Sequence, residues 1–218
     1  SHNKNGAFLA PAPSCNSTKE SNSDMRISFV HTKGGVGKTT NTIMLATAAA
    51  RRGIDVEVLD ADPQGSATRW AEVASMREDE LEFLVRSIDA RRLHRFPASD
   101  GWQIVDTPPG TADEIQAAID TADLIIVPTH AAPLDIDRVW PTLETVAHRP
   151  HGVLLSGVLQ HRRLYRETRE LFEAQGVSTF YNVVPEREEI KTYFGTNPEE
   201  LYTFTDICEE ILGIEEMD

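Results

Sequence analysis

The chain of 218 residues carries 21 Lys+Arg against 35 Asp+Glu, a formal net charge of −14 at pH 7. That balance argues against a broadly basic nucleic-acid surface, leaves room only for a local basic patch, and weakens attraction to anionic lipid. Its 40% hydrophobic and 26% charged residues suit one large globular core, and no apolar run nears the roughly 18–20 residues of a membrane span.

Residues 1–24 are rich in Ser, Asn, Pro and Ala without a hydrophobic period, and read as a disordered extension. The short, Pro-broken stretch from Gly6 to Pro13 does not have the form of a signal peptide. Cys15 and Cys208 form no CxxC pair and no metal spacing, which fits a reducing cytosol. From Met25 to Asp218 the pattern predicts one domain in which short apolar runs alternate with amphipathic stretches. The predicted strands are Arg26–His31, Asp55–Asp60, Glu82–Ser87, Trp102–Asp106, Asp123–Pro128, Gly152–Val158 and Ser178–Asn182. The predicted helices are Lys38–Arg52, Ser66–Met76, Asp113–Thr121, Ile136–Ala147, Leu164–Gln175 and Pro198–Leu212. Alternation of this kind means βαβ units: an α/β fold with a mainly parallel central sheet, flanked by helices in three layers. Ligands of such sheets bind at the carboxyl ends of the strands.

The first strand runs into Lys33-Gly34-Gly35-Val36-Gly37-Lys38-Thr39-Thr40, which opens the first helix. Glycines let the backbone turn and approach a polyphosphate, successive N–H groups point into the turn, and the helix N-terminus adds its positive end. Residues Gly34 to Thr40 are therefore the expected cradle for ATP, with Lys38 reaching the β- and γ-phosphates and the Thr39 hydroxyl on Mg²⁺. An ordinary P-loop has a glycine where Thr32 stands, and this chain adds Lys33 instead.

That departure resembles the deviant Walker A motif of the ParA/MinD family of ATPases, and two further segments resemble the same family in the same order. Asp60-Ala61-Asp62-Pro63-Gln64 is similar to its switch I, and Trp102-Gln103-Ile104-Val105-Asp106-Thr107-Pro108-Pro109-Gly110 to its Walker B strand and switch II. The resemblance spans Met25 to Leu212 and implies a P-loop NTPase. In that reading Lys33 contacts phosphates across an ATP-dependent homodimer, and Asp62 places Mg²⁺ and the attacking water. Asp106 holds Mg²⁺ through water, while Asp60 either shares in this or only caps a turn. Gly110 is implied near the γ-phosphate. Gln160 and the Pro185-Glu186 pair fall where relatives form the adenine slot.

Arg162, Arg166 and Arg169 are spaced to share a helix face and, with Arg163, Arg187 and Lys191, form the cationic concentration read from the sequence. Relatives bind DNA nonspecifically through basic residues in this third of the chain. The competing reading is a solvated helix whose arginines pair with Glu167, Glu170 and Glu173. The histidines show no ligand spacing, and His31 reads as packing behind the loop.

Within the family, the membrane-binding branch needs a basic C-terminal helix, whereas Pro198 to Asp218 holds acids and no Lys or Arg. The iron–sulfur branch needs bridging cysteines that Cys15 and Cys208 do not supply. With its first strand at Arg26, the chain is expected to lack the helix-turn-helix domain of larger relatives. The resemblance thus implies a small partition ATPase, cytoplasmic and nucleoid-associated, stimulated by a centromere-binding (ParB-type) protein. Alternatives are a positioning ATPase for a protein cargo and an ATP-dependent biosynthetic ligase of the dethiobiotin-synthetase type.

Overall fold

The computed structural model describes residues 24–215; the extension expected over residues 1–24 lies, but for Asp24, outside them. Strands β1 (Met25–Phe29), β2 (Val56–Asp60), β3 (Leu84–Ser87), β4 (Trp102–Asp106), β5 (Leu124–His130) and β6 (His151–Ser156) form one sheet. Their order is β3-β2-β4-β1-β5-β6, and every neighbouring pair is parallel. The helices are α1 (Lys38–Arg52), α2 (Ser66–Met76), α3 (Ala112–Asp120), α4 (Pro133–Val146), α5 (Arg163–Ala174), α6 (Glu188–Thr192) and α7 (Phe204–Glu215), with a 3₁₀ segment over Ala90–Arg95.

Strands β5 and β6 are apolar on both faces, as a covered parallel sheet requires, while β1, β2 and β4 carry Arg26, Glu57 and Gln103 on one face, joined by hydrogen bonds, and the edge strand β3 is largely exposed. Ile27, Phe29, Ile104, Leu124 and Ile126 pack to one side against α1 and α7 through Ile43, Met44, Phe204 and Ile207. Their neighbours Ile125 and Val127 turn to the other side, against Ile115 of α3, Val139 of α4 and Phe172 of α5. Helix α1 is buried from Asn41 to Ala49. Its run of alanines and threonines lets it wedge between the sheet and α7 at close approach.

Strand order and register place the chemistry. Phe29 lies beside Asp106, and Asp106 beside Asp60. The carboxyl ends of β1, β4 and β2 therefore finish level, and the loops that follow them meet above the sheet edge.

Three sequence expectations change. Ser178–Asn182 is not a strand. It runs beside β6 through one bridge, Thr179 to Val153, and then the Glu210 carboxylate accepts from Tyr181 N–H (2.6 Å) and Asn182 N–H (3.1 Å), diverting those donors from the sheet. The last helix starts at Phe204 rather than Pro198, because Tyr202 sits in the left-handed region at φ 50° and breaks any earlier start. The short α6 was not anticipated, nor was the 3₁₀ segment. No helix among the described residues is long and apolar enough to cross a membrane.

Candidate functional site

The loop after β1 turns on two glycines in the left-handed region, Gly35 (φ 77°) and Gly37 (φ 85°). A Cβ at Gly35 would meet nothing within 4 Å, so backbone conformation and open space for a ligand select glycine there, not crowding. Gly37 caps α1 without any side-chain hydrogen bond, and the helix has no acid in its first turn. Its N–H groups and positive end are thus open toward the cavity, the arrangement that attracts phosphate.

Lys38 starts that helix and is 6% exposed, with its Nζ 3.4 Å from the Lys33 carbonyl. Burial lowers its pKa, opposed by the charges of Asp106 and Asp62. The next residue, Thr39, donates its hydroxyl to Asp106 Oδ2 at 2.6 Å. Asp106 is fully buried, and its Oδ1 has no hydrogen-bond partner. Burial pushes its carboxyl up to about 7, reinforced by Asp60 and opposed by the Thr39 hydrogen bond and Lys38. An orphaned, desolvated carboxylate oxygen beside a threonine hydroxyl is a hard-oxygen donor set short of a cation. These two residues fit Mg²⁺, which uses one or two protein oxygens and keeps water or phosphate for the rest. Among the described residues no group of three or more His, Cys, Asp or Glu could hold a metal unaided.

Asp62 accepts from Gln64 N–H at 2.8 Å, which shapes the turn after β2. It lines a cavity of about 450 Å³ together with Gly34, Gly37, Lys38, Thr39 and Thr40. Asp60 points elsewhere: its carboxylate accepts from Thr68 N–H and Oγ1, both at 2.7 Å, and from Asp62 N–H at 3.3 Å. It fastens the first turn of α2 to the sheet, which is the structural one of its two expected roles. The far wall of the cavity is Trp70 of α2 with Ile190, Lys191 and Phe194. That wall is bolted to α2: Trp70 Nε1 donates to Thr196 O at 2.7 Å, and Arg77 to Gly195 O at 3.0 Å.

Comparison with known proteins gives this geometry its name. The profile of the CobQ/CobB/MinD/ParA nucleotide-binding domain matches residues 27–197. The chain belongs to this family. It is 38% identical over 154 residues to Maintenance of carboxysome distribution protein A of Gloeobacter kilaueensis, covering 68% of this chain and 66% of that protein. To the chromosome-partitioning ATPase Soj of Thermus thermophilus it is 31% identical over 202 residues, covering 73% and 80%. The chain otherwise spans between about half and two thirds of the length of the first curated relatives it matches. The cell division ATPase MinD of Pyrococcus furiosus superposes with a TM-score of 0.72 over 88% of this chain and 100% of that one, at 17% identity, a likeness of fold.

Against the ParA/MinD pattern, Lys33 lies folded back within its own chain, its ammonium paired with Asp135 in the first turn of α4. Asp135 is also 3.6 Å from His130 Nδ1, and the Lys33 hydrogen bond holds its carboxyl below the usual range. No local signal marks Asp135; its nearness to Lys33 arises only because β5 lies next to β1. His31 is fully buried, and its Nδ1 accepts from Lys33 N–H at 2.9 Å. Burial, with Lys38 and Lys33, lowers its pKa to about 4, so it is neutral and carries its proton on Nε2.

Pro185 and Glu186 border a smaller cavity of about 150 Å³ with Val36, Gly37, Thr40 and Asn41, flush against the phosphate loop. Gln160 is exposed and does not line it. The arginines of α5 divide. Arg169 is half-buried and donates to Thr179 Oγ1 (3.1 Å) and Phe180 O (2.5 Å), while Arg163 pairs with Glu167 at 2.7 Å. Arg162 and Arg166 are exposed. Arg91, Arg92 and Arg95 of the 3₁₀ segment form a second cluster, three arginines in five positions outside the basic set read from the sequence.

Proposed function

We propose that this protein is a partition-type ATPase that dimerises on binding ATP with Mg²⁺ and associates with DNA nonspecifically in that state. A centromere-binding (ParB-type) protein stimulates hydrolysis and releases it, and it works on the nucleoid in the cytoplasm. The observation that carries the reading is Lys33. It stands at the mouth of a P-loop already provided with Lys38, and is tied to Asp135, not to any group of the phosphate cradle. A second lysine so placed has its use when phosphates arrive from another copy. The names of the relatives, chromosome partition for one and carboxysome distribution for another, support a cargo-moving ATPase and leave DNA and protein cargo both represented.

Each site residue has a task consistent with its surroundings. The amides of Gly34 to Gly37, with Lys38, Thr39 and Thr40, bind the phosphates of the substrate. Thr39 and Asp106 hold Mg²⁺, which when bound offsets charge on the phosphate oxygens. Asp62, in the same cavity and without an ion pair among the described residues, orients the attacking water. Pro185 and Glu186 form the base slot beside Val36. Linkage makes ATP favour the dimer only as far as the dimer binds it more tightly, and Lys33 supplies that difference.

The test is Lys33→Gln. Monomer binding of ADP should persist, because the loop amides and Lys38 remain, while ATP-dependent dimerisation measured by sedimentation is lost along with turnover. A variant that dimerises and hydrolyses like the parent overturns the cross-dimer reading. A biosynthetic-ligase reading is disfavoured by the Asp60-Ala61-Asp62-Pro63-Gln64 segment, which resembles switch I of the partition ATPases.

A further inference from the structure

We infer that the 3₁₀ segment Ala90–Arg95 is a contact surface for the phosphate backbone of double-stranded DNA, one that α5 was expected to provide; this rests on the partition reading above. Three observations carry it. First, Arg91, Arg92 and Arg95 are exposed and make no side-chain hydrogen bond or ion pair among the described residues. Most arginines elsewhere are engaged, the exposed Arg162 and Arg166 excepted. Arg51, Arg52, Arg69, Arg86 and Arg163 each hold a carboxylate, and Arg169 is spent on Thr179 and Phe180. On a chain of net charge −14, three unpaired arginines left in one short segment are a local reversal of the field.

Second, the segment is rigidly mounted. Leu93 is fully buried under it, against Val105 and Ala118. Arg26, threading out of β1, donates to Leu93 O (3.3 Å) and Phe96 O (3.1 Å), and its guanidinium is itself held by Gln103 Oε1 at 2.6 Å. Gln103 in turn donates to Pro97 O at 2.9 Å. The backbone beneath the arginines is fixed by groups from the sheet, so little is lost in ordering it on contact with a ligand. A 3₁₀ turn has three residues and rises about 2 Å per residue, so Arg92 and Arg95 project from one edge about 6 Å apart. That is a repeating pair of forked cations suited to a repeating anion.

Third, the surface lies beside the nucleotide switch. A cavity of about 450 Å³ runs from Arg91 and Ile88 past Pro108 to Asp62. A ledge in contact with the turn that carries Asp62 can report which nucleotide is bound, as the partition reading requires.

DNA suits the surface better than other polyanion carriers. The one large apolar residue of the segment, Leu93, is buried, so nothing is available to insert into a bilayer. The exposed residues Arg91, Arg92, His94 and Arg95 include no apolar anchor of the kind that fixes a peptide partner.

The test compares the wild-type chain, the triple variant Arg91→Ala/Arg92→Ala/Arg95→Ala and the double variant Arg162→Ala/Arg166→Ala, each with ATP and Mg²⁺ on a random-sequence duplex over a salt series. Three phosphate contacts per protomer contribute a slope of about −2.7 in log K against log salt. The triple variant should lose that slope and bind tenfold or more weakly at low salt, with ATP affinity and basal turnover unchanged. If it binds as the wild type does while the double variant does not, the inference falls and the partition reading stands. If the wild type itself binds no duplex at low salt with ATP, the reading beneath it has failed and the inference with it. If the triple substitution changes retention on anionic-lipid vesicles or on polyglutamate but not on duplex, the ledge serves another polyanion and the inference is overturned.

Discussion

Asp135→Asn is expected to tighten the ATP-dependent dimer. Lys33 cannot both hold Asp135 in its own chain and contact phosphates across an interface, so each protomer must break the pair when the dimer forms. The two side chains are 31% and 14% exposed, between a surface pair and a buried one. Solvent screening at the lysine keeps such a pair near about 1 kcal/mol. A two-fold assembly breaks it twice, so the free dimer carries a cost of about 2 kcal/mol that the variant escapes. By the affinity relation this is about a 30-fold lower dimer dissociation constant. Asparagine keeps the volume and removes the charge, and any neutral hydrogen bond it keeps to Lys33 makes the figure of about 30-fold an upper limit. Sedimentation over a protein dilution series with ATP and Mg²⁺ measures it directly, and high salt should narrow the gap between the two proteins. An unchanged or weaker dimer would refute the reasoning, showing either that the pair survives assembly or that Asp135 itself belongs to the interface.

Lys38→Ala should abolish nucleotide binding measured by calorimetry, since the phosphates lose a buried cation whose desolvation is already met; retained ATP affinity would remove the P-loop assignment. Asp62→Ala should keep ATP binding and the dimer while turnover falls by about two orders of magnitude or more, so that sedimentation shows a long-lived assembly; normal turnover would move water positioning to another group. Asp106→Asn should stabilise the nucleotide-free protein increasingly as pH rises. A carboxyl raised from 3.8 to about 7 binds its proton more tightly folded than unfolded, so its contribution is complete below about 4 and is lost as pH climbs to about 7, with an upper limit of about 4 kcal/mol. Thermal midpoints of both proteins from pH 4 to 8 without nucleotide should diverge, and a constant difference would exclude the mechanism.

How much was legible in the sequence follows the range of the interactions. Glycine spacing, apolar runs and the acids ending β2 and β4 are local signals, and they gave the α/β fold and placed Lys38, Thr39, Asp62 and Asp106 at strand ends. Parallel neighbours were legible because strands alternate with helices along the chain; strand order was not, as nothing local says that β4 enters between β2 and β1. Groups that meet through that order stayed hidden: Asp135 beside Lys33, and Arg26 reaching Leu93. Ser178–Asn182 looked like a strand because its composition is strand-like, but composition cannot show a Glu210 from α7 taking two of its amides. The arginines of α5 were counted by spacing, and spacing is blind to Arg169 being consumed by Phe180.

The bonds that bolt Trp70 and Arg77 to Thr196 and Gly195 make two opposite sides of the nucleotide cavity a single piece. Gly195 lies so close to α2 that a Cβ there would fall 2.3 Å from Val73 Cγ1, so the loop cannot slide on the helix without collision. At its other end α2 begins at Gly65, three residues after Asp62. Any swing of the turn that carries Asp62 therefore has a lever arm: α2 transmits it, and Phe194 and Lys191 are carried across the cavity mouth in the same stroke. Opening one side of the site opens the other. A partner that grips the outer surface of the Phe194–Thr196 loop would have mechanical purchase on the hydrolytic turn without ever touching it.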